Sequence, residues 1–346
     1  MGSCFGEGIG GIVWGLWGNS QLGLINHVKK KKYDQKQCIN YIIFGQTLNR
    51  LPLSDLPLVF QIPDDEKLSF DKFIISQRIK HIRSSQAIVD EIFLKQPSLQ
   101  GIILETKKVS DIIRKLRTDA WEEFLEDEVN FNAAVMKDLH KILDTPKKIL
   151  DVLIENNIVS REGEDLKETI RELCGEYAGR VFPYLYALSL SNTQSRRSRA
   201  GKTFEAIIYK LYNLLDYEFD SQSKVGRKIF SDVGLGKKVD SILPSIEKFN
   251  LRRNKTIIGT MKTSLRERWQ EVAEEIERTK IPEIHLLTVD EEITASKAAE
   301  MSKHNVVIVT YNWIANNDKL KKARNIVSFE EYFFEEIPSI IDFWKE

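Results

Sequence analysis

The sequence predicts a mixed α/β sheet domain preceded by a turn-rich N-terminal module. Short β-branched runs at 256–261, 284–289 and 305–310 have the length and composition of buried strands. Helical patterns separate them, and strands alternating with helices indicate a sheet flanked by helices. Upstream, Pro52, Pro57 and Pro63 break the apolar stretches at 41–44 and 58–60, so that region reads as short strands and turns. The resulting division is an N-terminal module over 1–105 and a second domain over 106–346.

Along the chain, residues 2–28 read as a loosely ordered arm or a weakly apolar surface strand, and the lysines at 29–32 as a solvated boundary. Residues 69–93 suit a helix. A further helix begins at Val109, with Ser110 as its N-cap and Ile112, Ile113 and Leu116 at helical spacing. The acids Asp119, Glu122, Glu123, Glu126, Asp127 and Glu128 then read as a solvated face. The helical pattern continues through 129–157 with a break near Pro146, and another helix is expected at 165–176.

Residues 191–195 (Ser-Asn-Thr-Gln-Ser) have the composition of a loop. After it, Phe204, Ile207, Ile208, Leu211 and Leu215 mark a helix over 203–215. Residues 227–243 read as an extended pair around Gly234 and Gly236. Strong helix formers follow at 265–278, with Leu265, Trp269, Val272 and Ile276 on one side. A helix at 295–301 and a last strand at 326–329 complete the pattern.

The 346 residues suffice for a sizeable core. Lys plus Arg and Asp plus Glu both total 51, so net charge excludes no partner. Its distribution is informative. Residues 180–280 hold 20 Lys and Arg against 12 Asp and Glu, a local +8 that suits a polyanion. Cys4, Cys38 and Cys174 form no CxxC pair, which suggests free thiols in a reducing compartment and no structural zinc. The N-terminus lacks a basic n-region and carries Gly6 where myristoylation wants Ser or Thr. No apolar run reaches membrane-spanning length. A cytoplasmic location is expected. The motifs GxxxxGK[ST] and GxSxG are missing, and the glycine-rich stretch Gly6–Gly11, which spells GxGxxG, has no strand before it, which argues against an enzyme of small molecules.

Glu205, Asp240, Lys262 and Glu275 form the constellation that carries chemistry. Phosphodiester hydrolysis needs carboxylates to hold Mg²⁺ and a cation near the attacked phosphate. Asp240 lies in an extended segment, and Lys262 ends the strand 22 residues on. An acid two residues before such a lysine would share its side of the strand, but Thr260 stands there. Glu275 on the following helix can return a carboxylate, with Glu274 as its neighbour candidate, and Glu205 can add a further acid. The expected metal ligands are Asp240, Glu275 and Glu205. The plain alternative for Lys262 is a side chain snorkelling from a strand end.

The segments Arg197-Ser198-Arg199-Ala200-Gly201-Lys202-Thr203-Phe204-Glu205 and Met261-Lys262-Thr263-Ser264-Leu265-Arg266-Glu267-Arg268-Trp269 resemble the EcoRII, PspGI and SsoII group of type II restriction endonucleases. The resemblance is strong over roughly 180–280. It implies the PD-(D/E)xK restriction-endonuclease-like core, a mixed central sheet flanked by helices. It also implies cleavage of duplexes at sites built from CC and GG. Its active-site order of Glu, Asp, Lys and a displaced Glu matches Glu205, Asp240, Lys262 and Glu275, although Asp240 follows Val239 and not proline.

Arg266, Glu267 and Arg268 are then the candidates for base recognition. Arginine presents a fork of donors that fits guanine in the major groove, and glutamate accepts from the cytosine amine. The plain alternative is a solvated helix turn. Arg196, Arg197, Arg199 and Lys202 are expected to precede or open the Glu205 helix, where N-terminal amides also favour phosphate, with Arg196 a candidate to reach bases. Cutting both strands of a palindrome calls for a homodimer on double-stranded DNA, with a tetramer as the alternative. The competing functions are a repair nuclease of the same fold and a DNA-binding relative without catalysis.

Overall fold

The computed structural model describes residues 62, 64–142, 163–235, 238–265, 268–279 and 281–345. Contacts divide the chain into two compact units, one of 1–82 with 128–195 and one of 83–127 with 196–346. The module anticipated over 1–105 therefore lies mostly outside the described residues, and so do the calls on 2–28, 29–32, 143–157 and nearly all of 38–63.

The first unit is helical. It contains α1 (Asp64–His81), the end of α4 (Val109–Asp138) and the first part of α5 (Gly163–Leu214). Phe70, Ile74, Phe131, Val135, Val181, Tyr184 and Leu188 form its core. The loop expected at 191–195 is instead part of α5, which also runs through Pro183. Ser, Asn and Thr disfavour helix interiors because their side chains compete for backbone groups. Here the competition is satisfied. Asn192 accepts from Arg78 at 2.9 Å and donates to Asn132 at 2.8 Å, and Thr193 donates to the Ser189 carbonyl at 3.0 Å.

The second unit holds the sheet. Its strands are β1 (Asp220–Ser221), β2 (Ser241–Leu243), β3 (Ile257–Lys262), β4 (Ile284–Thr288), β5 (Val306–Thr310) and β6 (Ile326–Ser328), in that spatial order. β1, β2 and β3 pair antiparallel, and β3 to β6 pair parallel. The parallel strands read as continuous apolar runs because both faces are covered. Ile258, Leu286 and Ile308 pack against Trp269, Val272 and Ile276 of α9 (Arg268–Thr279) and Ala298 and Met301 of α10 (Ala295–Lys303). The mixed sheet flanked by helices is the fold class the sequence indicates.

Three local expectations change. The helix over 69–93 is interrupted at 82–84, because Ser84 caps a new helix, α2 (Ser85–Lys95), by accepting from the Ala87 amide at 3.1 Å. An additional helix, α3 (Leu99–Thr106), follows. Ser110 does not cap α4, which begins one residue earlier. Its amide and hydroxyl both donate to Glu330, at 2.8 and 2.7 Å. After α6 (Gln222–Val225), the extended pair expected at 227–243 is replaced by α7 (Arg227–Asp232) and the short β2, with Phe230 buried in the sheet's core.

The acids of α4 divide. Glu122 and Glu126 are exposed, as expected of a solvated face. Glu123 and Asp127 instead meet Arg83, each at 2.9 Å, and Lys95 bridges Glu123 and Glu91. Asp127 is thus buried with its charge matched. Cys174 is a free, exposed thiol. Among the described residues no helix is long and apolar enough to cross a membrane.

β2 and β3 approach so closely that Gly259 leaves no room for a side chain: an added Cβ would sit well inside van der Waals contact of Ser241 Oγ. Gly259→Ala should therefore destabilise the protein by about 1–3 kcal/mol, the usual range for overpacking. Adding Ser241→Ala removes the obstructing atom and should recover most of that loss. Urea midpoints of the single and double variants check this, and an equally unstable double variant would contradict it.

Candidate active site

β3 presents Thr260 and Lys262 on one side of the strand, since side chains alternate. The antiparallel register sets Ser241 opposite Gly259, so Asp240 enters the sheet beside Thr260. The Asp240 amide continues the ladder by donating to the Gly259 carbonyl at 2.8 Å. Asp240 Oδ2 accepts from the Met261 amide at 2.7 Å, from Thr260 Oγ1 at 3.3 Å and from Lys262 Nζ at 3.4 Å. Lys262 Nζ also donates to Thr260 Oγ1 at 3.1 Å and to the Met261 carbonyl at 3.0 Å. Thr260, which cannot act as an anionic ligand, thus works as a bridge between the carboxylate and the ammonium.

Glu205 joins from α5. It lies one residue beyond the buried Phe204, and its carboxyl is pushed up to about 7. Burial is the main cause, Asp240 adds repulsion, and Lys262 and Lys202 oppose both. Asp240 is also raised by burial, against the pull of Lys262 and of the hydrogen bonds to Oδ2. Two desolvated acids near one lysine form a site that favours a further positive charge.

A hard divalent cation fits this pair through oxygen ligands. The hydrogen bonds to Asp240 all end on Oδ2, which leaves Oδ1 available. The third expected ligand is not part of the group. The Glu275 side chain is buried on α9 and ion-paired with Arg278 at 2.6 Å. Among the described residues no three His, Cys, Asp or Glu side chains are arranged to hold a metal ion. Glu275 and Arg278 instead line an open cavity of about 590 Å³ with Gln222, Arg227, Lys228 and Lys238.

Other site residues were not anticipated. Tyr209, one helical turn after Glu205, donates its hydroxyl to the Asp240 carbonyl at 2.9 Å and stacks on Phe219. Gln222 Nε2 donates to the Val239 carbonyl at 2.6 Å. Together they clamp the backbone that carries Asp240. The i, i+4 relation of Tyr209 to Glu205 is a signal that the sequence does contain.

The four phosphate candidates are placed differently from expectation. Arg196, Arg197, Arg199 and Lys202 lie deep inside α5, so no helix N-terminus is available there. The amides at those positions are taken by the helix's own ladder. Arg196, Arg197 and Lys202 are exposed, whereas half-buried Arg199 stacks on Phe124 at 4.6 Å and donates to the Arg83 carbonyl. Arg266 and Glu267 lie outside the described residues. Arg268 opens α9, and its side chain is also outside them.

Known proteins of similar sequence and structure fall in one group. The family described as EcoRII C terminal matches residues 155–333. The type II restriction enzyme SsoII of Shigella sonnei is 34% identical over 225 residues, 64% of this chain and 66% of that enzyme, just under two thirds of its length. Metal-depleted Ecl18kI, solved with uncleaved, modified DNA, superposes with a TM-score of 0.62 at 28% identity, covering 80% of this chain and 85% of that one. The PspGI complex with substrate DNA shares the fold at a TM-score of 0.51 and 20% identity, over 75% of this chain and 94% of that one.

The raised Glu205 carboxyl has a consequence for stability. Between the unfolded value near 4.3 and the folded value of about 7, the folded chain keeps a proton that the unfolded chain has lost. Stability therefore falls as pH rises through that window, and the loss persists above it. In metal-free buffer, Glu205→Gln should show a smaller drop in urea midpoint from pH 5 to pH 8 than the wild type, by about 1–3 kcal/mol in free energy. Equal drops in the two proteins would argue against a desolvated Glu205.

Proposed function

This chain belongs to the EcoRII C-terminal family, in the EcoRII, PspGI and SsoII-like group of restriction endonucleases, and from that premise we propose that it hydrolyses phosphodiester bonds of double-stranded DNA at a short GC-rich palindrome with CC and GG half-sites. The observation that supports this most directly is the Asp240–Lys262 pair held across β2 and β3, with Glu205 beside it. The DNA in the Ecl18kI and PspGI complexes supports the same class of substrate.

In the proposed mechanism, Asp240 and Glu205 would hold Mg²⁺, and Glu275, the third acid by its spacing from Lys262 and by family resemblance, would join them on leaving Arg278. The cation, when bound, acts as a Lewis acid and lowers the pKa of an attacking water. Lys262 positions that water or stabilises the charge that develops on phosphate. Thr260 fixes the ammonium relative to Asp240, and Tyr209 and Gln222 keep the Asp240 backbone in place. Arg266 and Arg268 take adjacent guanines and Glu267 takes the paired cytosines. Arg196, Arg197 and Lys202 contact the backbone. Arg199, partly engaged inside the protein, is the weakest of the four phosphate candidates. The catalytic unit works as a homodimer, one active site per strand, inside a bacterial or archaeal cell.

Lys262→Ala should abolish cleavage with Mg²⁺ while specific binding with Ca²⁺ remains. Cleavage at the wild-type rate would rule out the assignment. A separate experiment tests recognition. On duplexes substituted at each inner and outer base pair, Arg266→Ala and Arg268→Ala should each lose about 1–3 kcal/mol of preference at one pair. Uniform loss across all sequences would make these residues phosphate contacts.

A further inference from the structure

The opposite end of β3 from Lys262 carries a second concentration of positive charge. It is built from α8 (Ile246–Leu251), the 3₁₀ turn Arg253–Lys255 and the C-terminal helix Ile337–Lys345. Trp344 Nε1 donates to the Lys255 carbonyl at 2.6 Å and fastens the helix to the turn. Lys248 lies 4.8 Å from the centre of the Trp344 ring, and Arg253 lies 5.0 Å from that of Phe249. Arg252 and Lys255 both sit over Phe343, at 5.2 and 4.8 Å.

Several other cations of the structure are matched by an acid. Lys95, Lys115, Lys210 and Lys321 each meet a carboxylate. Among the described residues, Lys248, Arg252, Arg253 and Lys255 have no ion pair or hydrogen bond to an acid. Of the nearby acids, Asp342 is paired with Lys345, and Glu247 is exposed. Bringing Arg252 and Lys255 to one ring without a counter-charge costs repulsion, which the ring's quadrupole only partly offsets. A ring face engages only some of a cation's N–H donors, so the others remain able to meet a further acceptor. Leu251 is the single large apolar side chain exposed on these segments, too little for a lipid surface or an apolar protein partner. Regularly spaced phosphates satisfy such an array best.

We propose that this surface binds the phosphate backbone of a second duplex DNA segment, separate from the one at Lys262. Lys255 and Lys262 are seven residues apart along an extended strand, about 23 Å, which is roughly the width of a duplex. The surface would let one protein hold two DNA segments, the second without sequence preference. This rests on the DNA-cutting reading above.

The test uses the full chain saturated with a short cognate duplex in Ca²⁺, to which a labelled non-cognate duplex is added. Fluorescence anisotropy should report binding of the second duplex. Arg252→Gln/Arg253→Gln/Lys255→Gln should weaken it about tenfold or more and reduce the salt slope by as much as about 2–3, one counterion per lost contact. Cleavage of the short cognate duplex with Mg²⁺ should be unchanged, which also shows that the variant is folded. If the second duplex binds equally to both proteins, or to neither, the inference is overturned. It is also overturned if cleavage of the short duplex falls with binding, since the surface would then contact the same DNA or support the fold. A wild-type protein that cuts no DNA while Arg252→Gln/Arg253→Gln/Lys255→Gln still weakens duplex binding would sink the nuclease reading and not the surface.

Discussion

The candidate site depends on one arrangement, the antiparallel pairing that brings a carboxylate and an ammonium together across β2 and β3. Burying either charge alone would be costly, and burying both is tolerable only when each is also hydrogen-bonded. Asp240 meets that condition through Oδ2, which gathers the Met261 amide, the Thr260 hydroxyl and Lys262. The close approach at Gly259 sets the register, and a slip of one residue would turn Lys262 to the other face. Tyr209 and Gln222 then limit the freedom of the chain leading into β2.

The layout follows a division of labour within the second unit. The parallel strands β3 to β6 are buried among Ile, Leu and Val and form a rigid support. The charged groups sit where β3 ends and where α5 and α9 border the sheet. A site built at the edge of a packed layer keeps its geometry while staying open to a large substrate. The separate cavity beside Glu275 has a mostly positive lining from Arg227, Lys228, Lys238 and Arg278.

Elements whose cause is local were readable from the sequence. β3, β4 and β5 follow from β-branched runs, and α9 from the spacing of Trp269, Val272 and Ile276. Of the candidate site, the fold brings Glu205, Asp240 and Lys262 near one another, in line with their order in the sequence. Where the cause is distant, the text misleads. The polar stretch 191–195 reads as a loop because its helix is stabilised by Arg78 and Asn132, more than fifty residues away. Ser110 looks like a cap because its real partner, Glu330, belongs to the other end of the chain. The pairing of Glu275 with Arg278 is local, at a helical i, i+3 spacing, yet that spacing does not say which of several neighbours Glu275 will meet.

Thr260 occupies the strand position where an acid would lie closest to Asp240 and Lys262, fully buried. A hydroxyl there adds a hydrogen bond without adding charge. The interior therefore has two acids to desolvate at this point, not three, and one lysine goes far toward balancing them. The charge at this point is thus close to balanced by the polypeptide itself, and folding of β2 against β3 needs no bound cation to offset it.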